Sequence, residues 1–76
     1  MRIFEALCLI GHMVDAGNNG TFSLRIRDTK TLFVIDTKKL TIATDGKYDW
    51  EAGQALASAL VKGDEVAELA WKGTDL

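Results

Sequence analysis

The feature that most constrains the fold is a run of four apolar residues, Leu32-Phe33-Val34-Ile35, near the middle of the chain. Successive side chains of a β-strand point to opposite faces, so a strand over this run is apolar on both faces. Such a strand is stable only where both faces are covered. We therefore predict the central strand of a sheet, covered on each side.

Two further runs have the period of half-buried strands. Residues 21–27 alternate between apolar and polar side chains, and residues 40–44 alternate again. The links between the three runs, residues 28–31 and residues 36–39, are short and polar, as in hairpin turns. Short links favour an antiparallel meander.

Helical periodicity precedes the strands. Ile3, Leu7, Ile10 and Val14 lie on one stripe of a helix predicted over residues 3–15. The helix is apolar on most of its circumference, so it should cover the face of the central strand that the C-terminal helix leaves free. An extended conformation of the first ten residues is the alternative. Gly17 suits the left-handed conformation that follows a helix.

A second helix is predicted after the sheet. Asp45-Gly46-Lys47 interrupts the strands, Asp49 can cap a helix over residues 50–62, and Gly63 ends it. Its core stripe is predicted to consist of Ala52, Leu56, Ala59 and Leu60. Leu24, Ile26, Leu56 and Leu60 are expected in one helix–sheet core.

The C-terminal segment fits two structures. Val66, Leu69 and Ala70 have helical spacing, and Asp64 can cap a short last helix. An alternating strand over residues 65–71 is the alternative, with residues 73–76 as a frayed tail. The predicted fold is α+β, a single domain of residues 1–76: a three-stranded antiparallel meander preceded by one helix and followed by one or two.

Composition excludes several classes of function. The 76 residues contain one cysteine and one histidine, too few for an internal disulfide or a closed zinc site. The formal net charge of −2 gives no general attraction to nucleic acid or anionic membranes. Neither a signal peptide nor a membrane span is predicted. A soluble cytoplasmic protein without a metal or cofactor is expected.

Catalytic chemistry has one weak candidate. Cys8 and His12 are spaced i, i+4 on the predicted helix, with Glu5 one turn earlier, so a small hydrolase can be sketched from them. A catalytic cysteine also needs a substrate pocket and an oxyanion hole, which one helical face does not supply. The simpler interpretation is that Cys8 is a small, partly buried apolar residue and His12 an interfacial polar one. We expect no enzyme activity.

Basic residues suggest a nucleic-acid-binding alternative. Arg25 and Arg27 point the same way from the first strand, and Lys30, Lys38 and Lys39 occupy the adjacent turns. Such a face could contact phosphates in a groove. A solvated sheet face whose lysines discourage edge-to-edge aggregation explains the same pattern.

The preferred hypothesis is a small protein-binding module that acts by stoichiometric occlusion of its target. An inhibitor or adaptor, such as a phage or mobile-element protein blocking a host enzyme, would have this size and this lack of catalytic residues. Its partner is expected to be a protein, with a homodimer also considered. The predicted partner-binding residues combine apolar anchors and a charged rim: Arg25, Arg27, Phe33, Ile35, Lys38 and Lys39.

Overall fold

A computed structural model describes residues 1–45 and 49–73, without the side chain of Asp49. The fold is α+β, with a four-stranded antiparallel sheet and two helices. In chain order the elements are α1 (Ile3–Asp15), β1 (Gly20–Ile26), β2 (Leu32–Asp36), β3 (Thr41–Thr44), α2 (Asp49–Lys62) and β4 (Val66–Gly73). Neither helix has the length and apolar character needed to cross a membrane. The predictions at residues 46–48, at the Asp49 cap and at residues 74–76 lie outside the described residues.

The strand order is β3-β2-β1-β4. The predicted meander of β1, β2 and β3 is therefore confirmed, and α2 returns the chain so that β4 pairs with the free edge of β1. Leu24 in β1 lies opposite Phe33 in β2 on one side and opposite Leu69 in β4 on the other. This register fixes which side chains share a face.

The short last helix was the wrong choice for the C-terminal segment, which forms β4. A β-bulge explains the misleading spacing. Val66 lies opposite Ile26 and Leu69 lies opposite Leu24, with a register shift between them. The bulge inserts one extra residue. Two residues three apart therefore face the same side, although an unbroken strand would separate same-face residues by two or four.

Both helices pack on the same face of the sheet. Buried residues of α1 and α2 form one cluster with β1, β2 and β4; it contains Ile3, Ala6, Ile10, Phe22, Leu24, Ile26, Phe33, Leu56, Ala59 and Val66. The prediction that α1 covers the opposite face is wrong. Four strands about 4.8 Å apart are wider than one helix of about 10 Å, so both helices are needed side by side.

Glycines end both helices as predicted. Gly17 has a φ of +95° and Gly63 a φ of +71°. After α1 the Asn18 amide donates to the carbonyl of Met13 at 2.8 Å, and after α2 the Asp64 amide donates to that of Ala59 at 3.1 Å. These are the bonds of a Schellman motif, which satisfies carbonyls left free at a helix end.

Two predicted apolar positions lie elsewhere than expected. Leu60 is 38% exposed, because at about 100° per residue it lies about 80° around α2 from the buried Ala52. Leu40 is almost fully exposed and precedes β3 rather than belonging to it. Its φ of +58° is that of a left-handed turn residue, not a strand residue.

Candidate functional site

The sheet has one face that neither described helix covers. The registers place on it the side chains of alternate residues from all four strands, and we call this set the open face: Thr21, Ser23, Arg25, Leu32, Val34, Asp36, Thr41, Ala43, Glu68, Ala70 and Lys72. None of these belongs to the buried cluster beneath the helices. The open face is thus a partly exposed surface held in shape by the packing on its reverse.

The middle row of the open face is small and largely apolar. Ala43, Val34, Ser23 and Ala70 lie opposite one another across β3, β2, β1 and β4. Small side chains leave this part of the sheet flat, so that the surface of another molecule can approach the strands closely.

The rows on either side give the open face an uneven rim. In one direction Leu32, Arg25 and Glu68 lie in register and, with Ser23 and Ala70, line a shallow depression. In the other direction the row is polar, and it consists of Thr41, Asp36, Thr21 and Lys72. An apolar centre within a polar, charged border is the usual composition of a protein–protein contact surface.

Both arginines predicted to bind a partner already have carboxylate partners. Arg25 Nε lies 3.2 Å from Glu68 Oε1. Arg27 Nη1 lies 2.6 Å from Glu65 Oε1, and its Nε lies 3.4 Å from Asp28 Oδ1. Each guanidinium is thus neutralised locally, which reduces its attraction for a phosphate group.

The predicted basic patch is divided between the two ends of the sheet. Lys38 and Lys39 are exposed in the β2–β3 turn, where both amides donate to Asp36 Oδ1 at 3.0 Å. Asp36 lies opposite Thr21 at the start of β1, whereas Arg25 lies near its end. Four residues of strand, about 13 Å, therefore separate these lysines from the arginines.

The two apolar residues predicted to bind a partner lie beneath the helices. Phe33 is only 2% exposed in the core, and the half-buried Ile35 packs against that core. The other pair of the same strand, Leu32 and Val34, lies on the open face. The sequence left this choice open, and the pairing of Phe33 with Leu24 decides it.

The open face also contains residues that the sequence did not single out. Ala70 and Glu68 reach it only because β4 is a strand, and Ala43 reaches it through pairing with Val34. The alternation of residues 40–44 was a usable signal for Ala43. For β4 the sequence offered both a helical spacing and an alternating pattern over residues 65–71, and the helix was the wrong choice between them.

Cys8 and His12 lie on the outer side of α1 and are exposed. The expectation that Cys8 is partly buried is therefore wrong. Glu5 Oε1 accepts a hydrogen bond from the Arg2 amide at 2.7 Å, an arrangement that stabilises the start of α1. Within residues 1–45 and 50–73, no three His, Cys, Asp or Glu side chains form a group able to hold a metal ion.

The chain matches no protein-family model, no curated protein sequence and no solved structure.

Proposed function

We propose that this chain is a protein-binding module that contacts its partner through the open face. The observation that carries the proposal is the asymmetry of the sheet: both helices cover one face, while the other presents Val34 and Leu32 among small residues with charged groups around them. Desolvation of these two apolar side chains would supply the favourable free energy of association.

Binding would act by occlusion, since the sheet blocks whatever surface of the partner it covers. Val34 and Leu32 are the proposed central anchors. The Arg25–Glu68 ion pair and Lys72 would orient the partner at the rim, where charges influence encounter and register more than affinity. An inhibitor or adaptor, for example one carried by a phage or mobile element against a host enzyme, would work in this way.

The ion pairs of the arginines favour a protein over a nucleic acid. A phosphate would have to displace Glu68 from Arg25, and Glu65 and Asp28 from Arg27. Lys38 and Lys39 would have to contribute from the opposite end of β1. A sheet that reads a nucleic acid would be expected to present free cations together on one surface.

Capture of partners from cells of the native host tests the proposal. Val34→Glu places a charge at the centre of the open face, and Val61→Glu is the matched control, because Val61 is 87% exposed on α2. The wild type and Val61→Glu should recover the same protein in a fixed molar ratio, and nuclease treatment should not change the recovery. Val34→Glu should no longer recover that protein. Recovery that requires nucleic acid, or equal recovery by all three chains, would refute the proposal.

A further inference from the structure

Beyond Val66, whose amide donates to the carbonyl of Met1 at 2.7 Å, the outer edge of β4 has no partner strand among the described residues. β4 stands last in the strand order and spans eight residues, compared with four for β3 at the other edge. Glu68 and Lys72 are its only charged side chains. Long edge strands with few charges readily pair with another chain, and natural proteins usually shorten, charge or cover them.

The hydrogen-bond pattern shows which residues of β4 turn their backbone groups outward. The Ile26 amide donates to the carbonyl of Thr31 beside β2 at 2.8 Å, and the next amide, that of Arg27, donates to the carbonyl of Glu65 beside β4 at 2.9 Å. Bonding direction alternates along a strand, so Arg25 and Ser23, which lie two and four residues before Arg27, also bond towards β4. Their partners Glu68 and Ala70 bond back towards β1.

It follows that Leu69 and Trp71, which alternate with those residues, direct their N–H and C=O groups to the outer edge. Antiparallel pairing of β4 with an added strand would use these groups. The added strand must present its own outward-bonding residues at matching positions, which restricts the possible registers.

We propose that the added strand is β4 of a second copy of this chain, related by a two-fold axis at Ala70. In this register Leu69 lies opposite the partner's Trp71, and their outward groups form the hydrogen-bonded pairs. Glu68 lies opposite the partner's Lys72 on the open-face side, and the two-fold axis repeats both pairs. Opposite charges facing each other across strands stabilise the pairing.

Charge complementarity selects this register over its neighbours. A shift of the two-fold axis to Leu69 keeps the outward groups matched but places Glu68 opposite the partner's Ala70. A shift to Trp71 places Lys72 opposite the partner's Ala70. Either shift removes both cross-strand ion pairs.

Exposed apolar side chains on the helix side of β4 support the same occupant. Leu9 of α1 is 41% exposed and lies with Met1 and Leu69 along a groove beside β4. Trp71 is 44% exposed although it packs against Phe22, with ring centroids 6.4 Å apart. In the dimer the partner's Trp71 would cover Leu69 next to that groove. The proposal does not depend on a partner at the open face.

Sedimentation equilibrium of charge variants tests the dimer. Lys72→Glu places a second carboxylate opposite the partner's Glu68. Glu68→Lys places a second ammonium group opposite the partner's Lys72. Each variant alone should dimerise at least about tenfold more weakly than the wild type, because two attractive pairs become repulsive. An equimolar mixture should recover a dimer, since each chain then opposes unlike charges. Lys72→Glu leaves the Arg25–Glu68 pair intact, so its result stands if Glu68→Lys folds poorly.

A cysteine cross-link tests the position of the axis. In a Cys8→Ser background, Ala70→Cys should form an intermolecular disulfide under mild oxidation, because residues opposite each other without hydrogen bonds lie about 4.5 Å apart. Ala43→Cys, on the same face but on edge strand β3, is the control and should remain monomeric. The proposal is overturned by a monomeric wild type at all concentrations, by a mixture that does not recover the dimer, or by equal cross-linking at positions 70 and 43.

Discussion

The two faces of the sheet differ in how they are covered, although the same strands build both. Beneath the helices, Phe22, Leu24 and Phe33 are almost completely buried. On the reverse, their chain neighbours Ser23, Arg25 and Val34 remain partly exposed. The covered face should therefore determine stability, while the open face should be free to change with little effect on folding.

The largest effect is expected beneath the helices. Phe22→Ala should lower the free energy of unfolding by about 3–5 kcal/mol, because it removes a fully buried ring and leaves a cavity. Val34→Ala on the open face should cost less than about 1 kcal/mol. Reversible denaturant unfolding of both variants measures the difference, and equal losses would mean that the faces are not distinct.

The boundary of the covered face can be tested on α2 itself. Leu56→Ala should cost about 2–3 kcal/mol, in the lower part of the range for buried leucines, because Leu56 lies at the limit of burial with 9% exposed. Leu60→Ala, one turn later and partly exposed, should cost less than about 1 kcal/mol. Thermal or denaturant unfolding of the pair is the measurement, and a larger loss at Leu60 would show that the buried side of α2 is misassigned.

The turn that leads from α2 to β4 should have an intermediate effect. Gly63→Ala should cost about 1–2 kcal/mol, since a side chain at φ +71° is strained and its Cβ would lie 3.2 Å from Arg2 Nη1. Gly53→Ala, within α2, is the control. It meets no atom within 4 Å and should be stabilising by about 0.5–1 kcal/mol. The opposite order of melting temperatures would contradict this account of the turn.

The smallest effect on stability is expected at the rim of the open face. Arg25→Ala with Arg27→Ala should change the free energy of unfolding by less than about 1 kcal/mol per ion pair, because these pairs are exposed to solvent. The double variant should slow association with a protein partner modestly without abolishing it. Stopped-flow association at several salt concentrations checks this. A steep salt dependence that disappears in the variant would indicate phosphate contacts instead.

Local patterns predicted the elements whose partners are near in the chain. The alternation of β1, the short turns of the meander and the glycines that end α1 and α2 are all encoded within a few residues. For β4 the local pattern was ambiguous: residues 65–71 also fitted an alternating strand, but the bulge opposite Ile26 gave Val66 and Leu69 a helical spacing. Pairing with a strand about forty residues earlier decides between the helix and the strand.

The same non-local pairing explains what was missed in the candidate site. Arg25 and Arg27 could be placed on one side of β1 from their parity, but their partners Glu68 and Glu65 come from the segment of β4. The sequence alone did not show whether Leu32 and Val34 or Phe33 and Ile35 lie beneath the helices, and the register of β2 with β1 decides it. The sequence thus predicted where the basic side chains lie on the surface, but it did not predict the carboxylates that neutralise them.

The central claim is that the open face contacts a protein, and site-specific photo-cross-linking tests it most directly. A photoreactive amino acid at position 34 should form a covalent adduct with a single protein in cells of the native host, and the adduct should resist nuclease. The same group at position 61, on the exposed side of α2, should form no such adduct. Adducts with nucleic acid at position 34, or the same protein adduct from both positions, would contradict the account.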